Sequence, residues 1–106
     1  MQLPLPSNMD EAEVTGTVAV EKDVDGFQSV NIGELAKRGG KPFFIPCTPK
    51  GIMVLLDQTG IDVAGKNAVV IGRSNIVGLP ASYLLRAADA TVTVCHSRTK
   101  DIKDFV

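Results

Sequence analysis

The sequence has no tryptophan, one tyrosine, one histidine and two cysteines among its 106 residues. Each scarcity excludes something. Four phenylalanines are the only other aromatics, so the chain has no set of rings on which nucleobases would stack. One histidine (His96) and two distant cysteines (Cys47 and Cys95) do not supply the three or four convergent ligands of a zinc site. The cysteines form no CxxC pair, and free thiols in a reducing compartment are the plainest expectation. No stretch approaches the roughly 20 apolar residues of a membrane span. The opening Met1-Gln2-Leu3-Pro4-Leu5-Pro6 lacks the basic region and apolar core of a signal peptide, and is not an Arg-rich transit peptide. A cytosolic location is therefore expected. The net charge of −1 and the lack of any basic run provide no field for nucleic acid or anionic lipid.

What remains is ordinary globular composition, 44% hydrophobic and 22% charged. The length suits one small domain on a scale of roughly 100–200 residues per domain. Residues 2–5 read as the end of a strand, with Pro4 and Pro6 restricting pairing to an edge or a strand end. The acidic segment 7–14 suggests a short helix, and the alternating Thr and Val of 15–20 suggest an extended segment. Lys22-Asp23-Val24-Asp25-Gly26 is a charged loop, followed by one or two helical turns over 31–37 that Gly39-Gly40 stops. Thr48-Pro49 predicts an N-cap with proline at the first helical position. Ile52, Met53, Leu55 and Leu56 then form an apolar stripe, and Gly60 closes the helix.

The second half is more regular. Ala68-Val69-Val70-Ile71 is an uninterrupted apolar run, as in a strand covered on both faces. Gly72 ends it. A helix is expected over 77–88, with Pro80 in its first turn and Leu84, Leu85, Ala87 and Ala88 available to face a sheet. Thr91-Val92-Thr93-Val94-Cys95 is a second β-branched strand, and 100–106 begins another helix with Ile102, Phe105 and Val106 on one side. Strand, glycine-bearing turn, helix and strand make one βαβ unit.

Chemistry concentrates at the ends of those two strands. Glycine after Ile71 lets backbone approach a phosphate, and a helix start offers free N–H groups and partial positive charge. Gly72 and Gly78 do not reproduce the GxGxxG spacing, so an ordinary βα turn explains the spacing alone equally well. The second strand ends in Cys95-His96-Ser97-Arg98, where NAD-binding chains carry a carboxylate for the ribose. A cation and a hydroxyl there, with Arg73 nearby in the first turn, favour the 2′-phosphate of NADP, against the alternative of solvated loop residues. His96 has no Asp or Ser placed by the sequence to form a relay, so it reads as structural or as a ligand contact. Asp23 and Asp25, two apart on an extended loop, point in opposite directions. A solvated acidic turn, or one ligand-binding carboxylate beside one in water, describes them. Cys47, at a helix start, reads as a small packing residue, with a nucleophile as the lesser alternative.

Five strings fall in one order: Gln2-Leu3-Pro4-Leu5-Pro6, Lys22-Asp23-Val24-Asp25-Gly26-Phe27, Pro46-Cys47-Thr48-Pro49-Lys50-Gly51, Gly72-Arg73-Ser74-Asn75-Ile76-Val77-Gly78-Leu79-Pro80, and Ala90-Thr91-Val92-Thr93-Val94-Cys95-His96-Ser97. That order and spacing resembles the methylenetetrahydrofolate dehydrogenase/cyclohydrolase family over nearly the whole chain. The resemblance implies an α/β architecture: the C-terminal part of a folate-binding α/β domain over 1–63, its linking helix at about 48–59, and the first βαβ unit of a Rossmann-type NADP-binding domain over 64–106. It implies oxidation of 5,10-methylenetetrahydrofolate by hydride transfer to NADP, then hydrolysis of the methenyl product, with tetrahydrofolate derivatives as partners. Matched residue by residue, Gln2 lies near the reacting carbon and Asp25 grips the pterin, where a carboxylate accepts two parallel N–H bonds. Both are the catalytic and substrate-binding candidates. Gly72, Arg73, Ser74, Ile76, Val77, Gly78, His96 and Ser97 line the cofactor site, with Arg73 and Ser97 at the 2′-phosphate.

The chain also departs from the family. The family's catalytic lysine belongs to a YxxxK motif upstream of QLPLP, and the only tyrosine here, Tyr83, has Ala87 four residues on. Truncation at both ends is expected, and with it loss of the hydrolytic step. Phe27-Gln28 stands where the family often has an aromatic or aliphatic residue followed by His or Thr. Beside the enzyme reading stand a non-catalytic NADP-binding module and an inactive truncated subunit that docks onto a full-length partner. A homodimer is the family-like association. With two recognisable strands, open edges and partly bare strand faces predict poor solubility or self-association.

Overall fold

The computed structural model describes residues 2–106. They fall into two compact units, one ending at Ile45 and one beginning at Pro46. In the first unit, helix α1 spans Glu11–Gly16. Asp10 caps it, its Oδ1 accepting from the Ala12 and Glu13 amides at 2.8 and 3.1 Å. That cap explains why the helix begins later than the acidic segment expected at 7–14. The expected extended segment over 15–20 is overturned. Thr15 Oγ1 donates to the Glu11 carbonyl at 2.7 Å and Thr17 Oγ1 to that of Val14 at 2.7 Å. These hydroxyls satisfy themselves on the preceding turn, and the chain continues into a 3₁₀ turn at Val20–Lys22.

The expected strand at 2–5 is likewise absent; those residues form a bend with a cis Leu3–Pro4 peptide. Proline donates no ladder bond, and the Leu5 amide goes to Glu11 Oε1 at 3.0 Å. Helix α2, Ser29–Ala36, starts two residues before the segment expected at 31–37. Its buried face carries Asn31 and Leu35.

In the second unit, helix α3 runs Cys47–Gln58. Pro46, extended at φ −48 and ψ 129, precedes it, and no side chain caps it. Thr48 is therefore inside the helix rather than its N-cap. Pro49 keeps the first-turn place where a missing N–H costs nothing. Of the expected stripe, Ile52, Met53 and Leu56 are half-buried, whereas Leu55 is 63% exposed. The helix closes at Thr59 and Gly60.

Strand β1 (Asn67–Ile71) pairs in parallel with β2 (Thr91–Cys95), in register from Asn67↔Thr91 to Ile71↔Cys95. Helix α4, Gly78–Ala87, crosses between them and packs against both strands and α3. Its buried face is Gly78, Ala81, Ser82 and Leu85, an i, i+3, i+4, i+7 set. Leu84 and Ala88 are half-buried and Ala87 is exposed, which corrects the expected sheet-facing group. β1 is half-buried at 68–70 and exposed at both ends, not covered on both faces. The helix expected over 100–106 is one 3₁₀ turn, Ile102–Phe105, with Phe105 and Val106 exposed. A left-handed Asp101 (φ 48) interrupts the backbone where that helix would start. The α/β class expected from the sequence is the observed one. No helix among the described residues is long and apolar enough to cross a membrane.

Candidate functional site

Parallel pairing of β1 and β2 brings two segments together at the carboxyl ends of the strands. The Gly72 amide continues the ladder by donating to the Cys95 carbonyl at 2.7 Å. The turn that follows is shaped by its own residues. Gly72 adopts φ +127, a conformation open to glycine and strained for other residues. Gly78 closes the turn, and a Cβ there would stand 2.4 Å from the Gly72 carbonyl oxygen. Ser74 Oγ accepts from the Val77 and Gly78 amides at 3.2 and 3.3 Å, while its carbonyl accepts from Leu79 at 3.0 Å. Ser74 thus caps α4 from outside the helix.

Between these anchors, the backbone N–H groups of Arg73, Ser74, Asn75 and Ile76 take no hydrogen bond among the described residues. A run of open amides at the start of a ten-residue helix is a concavity for an anion. Arg73, Ser74, Asn75 and Ile76 are exposed there, and Val77 is half-buried.

The segment after β2 is a tight turn built on His96. The His96 amide donates to Thr99 Oγ1 at 2.9 Å, and the Thr99 amide returns to the His96 carbonyl at 2.8 Å. The ring nitrogen Nδ1 accepts from the Arg98 amide at 3.2 Å. One side of the imidazole is thereby committed to the turn, leaving Nε2 as its donor. Ser97 and Arg98 stay exposed, and no carboxylate follows β2 before Asp101. The residues present fit a phosphorylated dinucleotide: open amides for a pyrophosphate, and Arg73, Ser97 and Arg98 as donors for a further phosphate.

A groove of about 590 Å³ runs along β1 past Ile52, Leu56, Val69 and Leu85, and its end reaches the turn residues Gly72, Ser74, Val77 and Gly78. Away from that turn its walls are mostly aliphatic, which suits covering by protein more than binding a charged group.

Gln2 and Asp25 lie in the first unit. Gln2 is exposed, and among the described residues its Nε2 reaches the Leu3 carbonyl, at 3.4 Å. Asp25 is half-buried on a turn closed by Gly26 N donating to the Asp23 carbonyl at 2.9 Å. The solvated acidic turn expected here is overturned at Asp23, which is 5% exposed and fully engaged. Its Oδ1 accepts from Phe27 N at 3.1 Å, and its Oδ2 from Gln28 N at 2.7 Å and Asn31 Nδ2 at 2.9 Å. From the sequence, Asn31 is not named as a site residue, and Asp23 and Gln28 are named without these bonds. The available signal was an Asn beside Ile32 on the face of α2 that also carries Leu35. Cys47 is exposed, so it is not the packing residue expected; Cys95 is the buried one.

Residues 46–106 match the family described as tetrahydrofolate dehydrogenase/cyclohydrolase, NAD(P)-binding domain. The chain is 60% identical over 105 residues to the chloroplastic bifunctional protein FolD 4 of Arabidopsis thaliana, covering 99% of this chain and 29% of that protein. It is 58% identical over its full 106 residues to the mitochondrial C-1-tetrahydrofolate synthase of Saccharomyces cerevisiae, spanning 11% of it. Among solved structures, it is similar to the Trypanosoma brucei N5,N10-methylenetetrahydrofolate dehydrogenase-cyclohydrolase complexed with NADP cofactor and inhibitor. The TM-score is 0.93 at 45% identity, over 99% of this chain and 36% of that one. The chain thus spans about a third or less of the length of these relatives. Relatives include cytoplasmic, mitochondrial and chloroplastic forms.

Proposed function

The chain belongs to the tetrahydrofolate dehydrogenase/cyclohydrolase family, and from that premise we propose that it serves the dehydrogenase step of folate one-carbon metabolism, with NADP as cofactor. The observation that carries this reading is the row of open amides from Arg73 to Ile76 beside the carboxylate-free turn after β2. Gly72 and Gly78 set the turn, Ser74 caps the helix, and Ile76 and Val77 flank the cofactor. Arg73 and Ser97 take the 2′-phosphate, and His96 holds the turn that presents Ser97. NADP, when bound, supplies the acceptor for a hydride from the methylene bridge of 5,10-methylenetetrahydrofolate, leaving the methenyl cation and NADPH.

The chain's own contribution is orientation, which is the main requirement of a hydride transfer. Asp25 accepts paired N–H bonds from the pterin edge, and Gln2 stands beside the reacting carbon. The functional boundary falls near residues 63 and 64, with α3 as the link. The hydrolytic step calls for the lysine of a YxxxK motif, and Tyr83 with Ala87 does not supply it. Hydride transfer is the step assigned to the residues named here. The cytosol is the compartment proposed.

The test is formation of methenyltetrahydrofolate by the purified chain with NADP and, in parallel, NAD, alongside calorimetric titration of both nucleotides. Turnover with NADP supports the reading. NADP binding without turnover reduces it to a binding module. A folded chain that binds neither nucleotide overturns it.

A further inference from the structure

Asp23 is a buried carboxyl group to which the proposed chemistry gives no task, yet it is among the most fully bonded side chains of the first unit. Its main chain closes the turn at Gly26, with Val24 and Asp25 as the central residues. Its side chain reaches past that turn to the Phe27 and Gln28 amides. One residue therefore fixes both the entry and the exit of the segment that carries Asp25.

The clamp extends further. Asn31, 1% exposed, donates to Asp23 and accepts from the Phe43 and Phe44 amides at 2.9 and 3.4 Å. The Gln28 side chain donates to the carbonyls of Thr15, Gly16 and Val18. The turn is thus tied to the end of α1, to α2 and to the segment at 43–44. Burying a carboxyl group costs free energy that three donors offset. A saturated buried network of this kind specifies one geometry more than it adds stability.

We propose that Asp23 is a positioning residue, holding the turn so that Asp25 meets the pterin edge of the folate, without touching the ligand itself. This rests on the reading of Asp25 given above.

The experiment is a double-mutant cycle on the full chain, read by calorimetric titration of tetrahydrofolate and, separately, NADP. Asp23→Asn keeps the size but turns a carboxamide N–H toward a donor from which the carboxylate accepts. It is expected to weaken tetrahydrofolate binding about tenfold, or roughly 1.4 kcal/mol, with NADP affinity unchanged. In the Asp25→Asn background the same change should cost little more, because its effect runs through Asp25. Additive losses, or equal loss of NADP affinity, overturn the proposal.

If the unsubstituted chain binds no tetrahydrofolate, the reading of Asp25 fails on its own. Amide hydrogen exchange then judges the positioning. Faster exchange at Gly26, Phe27 and Gln28 in Asp23→Asn, with β1 and β2 unchanged, supports the clamp, and unchanged exchange removes it. Should circular dichroism show Asp23→Asn unfolded, Asn31→Ala takes its place in the cycle. It removes one of the three donors, and a smaller, equally non-additive loss is expected.

Discussion

A Cβ on Gly78 would stand 2.4 Å from the carbonyl oxygen of Gly72 and 2.9 Å from the Arg73 amide nitrogen. The first residue of α4 thus lies against the backbone that leaves β1. The two glycines fail differently when substituted. Gly78→Ala meets main chain that cannot swing aside, and overpacking of this kind costs about 1–3 kcal/mol. Gly72→Ala has open space but keeps φ +127, where strain also costs on the order of 1–3 kcal/mol. Thermal unfolding of both variants should show loss of stability. Only Gly78→Ala should also move Ser74 off the Val77 and Gly78 amides, visible as faster exchange at those two positions. Equal exchange in both variants would refute the steric argument.

Cofactor choice should rest on cations that touch no nicotinamide. Arg73→Ala and Arg98→Ala are each expected to weaken NADP binding about tenfold, equivalent to roughly 1.4 kcal/mol, and to leave NAD binding nearly unchanged. Competition titrations with the two nucleotides measure the ratio. A parallel fall for both would place these side chains at the pyrophosphate instead. Raised salt should reproduce part of the NADP effect, since both arginines are exposed.

How much of this was readable in advance depended on how local the cause was. The strands at 67–71 and 91–95, and the helix between them, follow from apolar runs and a proline placed in a first turn. Neighbouring residues set those features, and they survive into the structure. The segment at 15–20 looked extended because Thr and Val alternate, but the threonine hydroxyls bond back onto α1, which the pattern does not encode. Asp23 has the sequence surroundings of a solvated turn residue, because its partners, Phe27 N, Gln28 N and Asn31, converge only once α2 is in place. Leu55 and Phe105 are apolar at helical spacing, yet they remain exposed because burial needs a partner surface as well as a period. The cofactor turn was legible as a glycine-bearing βα junction. Its open amides were not, since they depend on which bonds Ser74 makes.

Glu34 offers a test of pH dependence. Its carboxylate is held below the ordinary value of 4.5, first by the hydrogen bond from the Lys37 side chain and then by the Lys41 amide. A depressed folded-state value means its stabilisation is present above the unfolded value and is lost as pH falls through the folded one. The melting difference between the unsubstituted chain and Glu34→Gln should therefore narrow as pH falls through and below the ordinary value of 4.5. The effect should be small, because the pair is solvent-accessible and screened. A difference that stays constant as pH falls would remove Glu34 from the acid limb of unfolding.

Ile71 is 66% exposed at the carboxyl end of β1, and the aliphatic groove of about 590 Å³ runs along the same strand. Parallel strands are normally covered on both faces, yet β1 has one partner strand among the described residues and is half-buried only at its centre. An unpaired edge beside an apolar groove is a template for association. Sedimentation velocity on the purified chain should show mass rising with concentration. Ile71→Lys should shift that rise to higher concentration without lowering the melting temperature, because the side chain it replaces already faces solvent. Val54→Lys, on the exposed side of α3 and away from the groove, should leave the association unchanged. A monodisperse monomer at every concentration would show that the bare edge is tolerated. Equal effects of the two lysines would mean that charge, rather than the β1 surface, controls association.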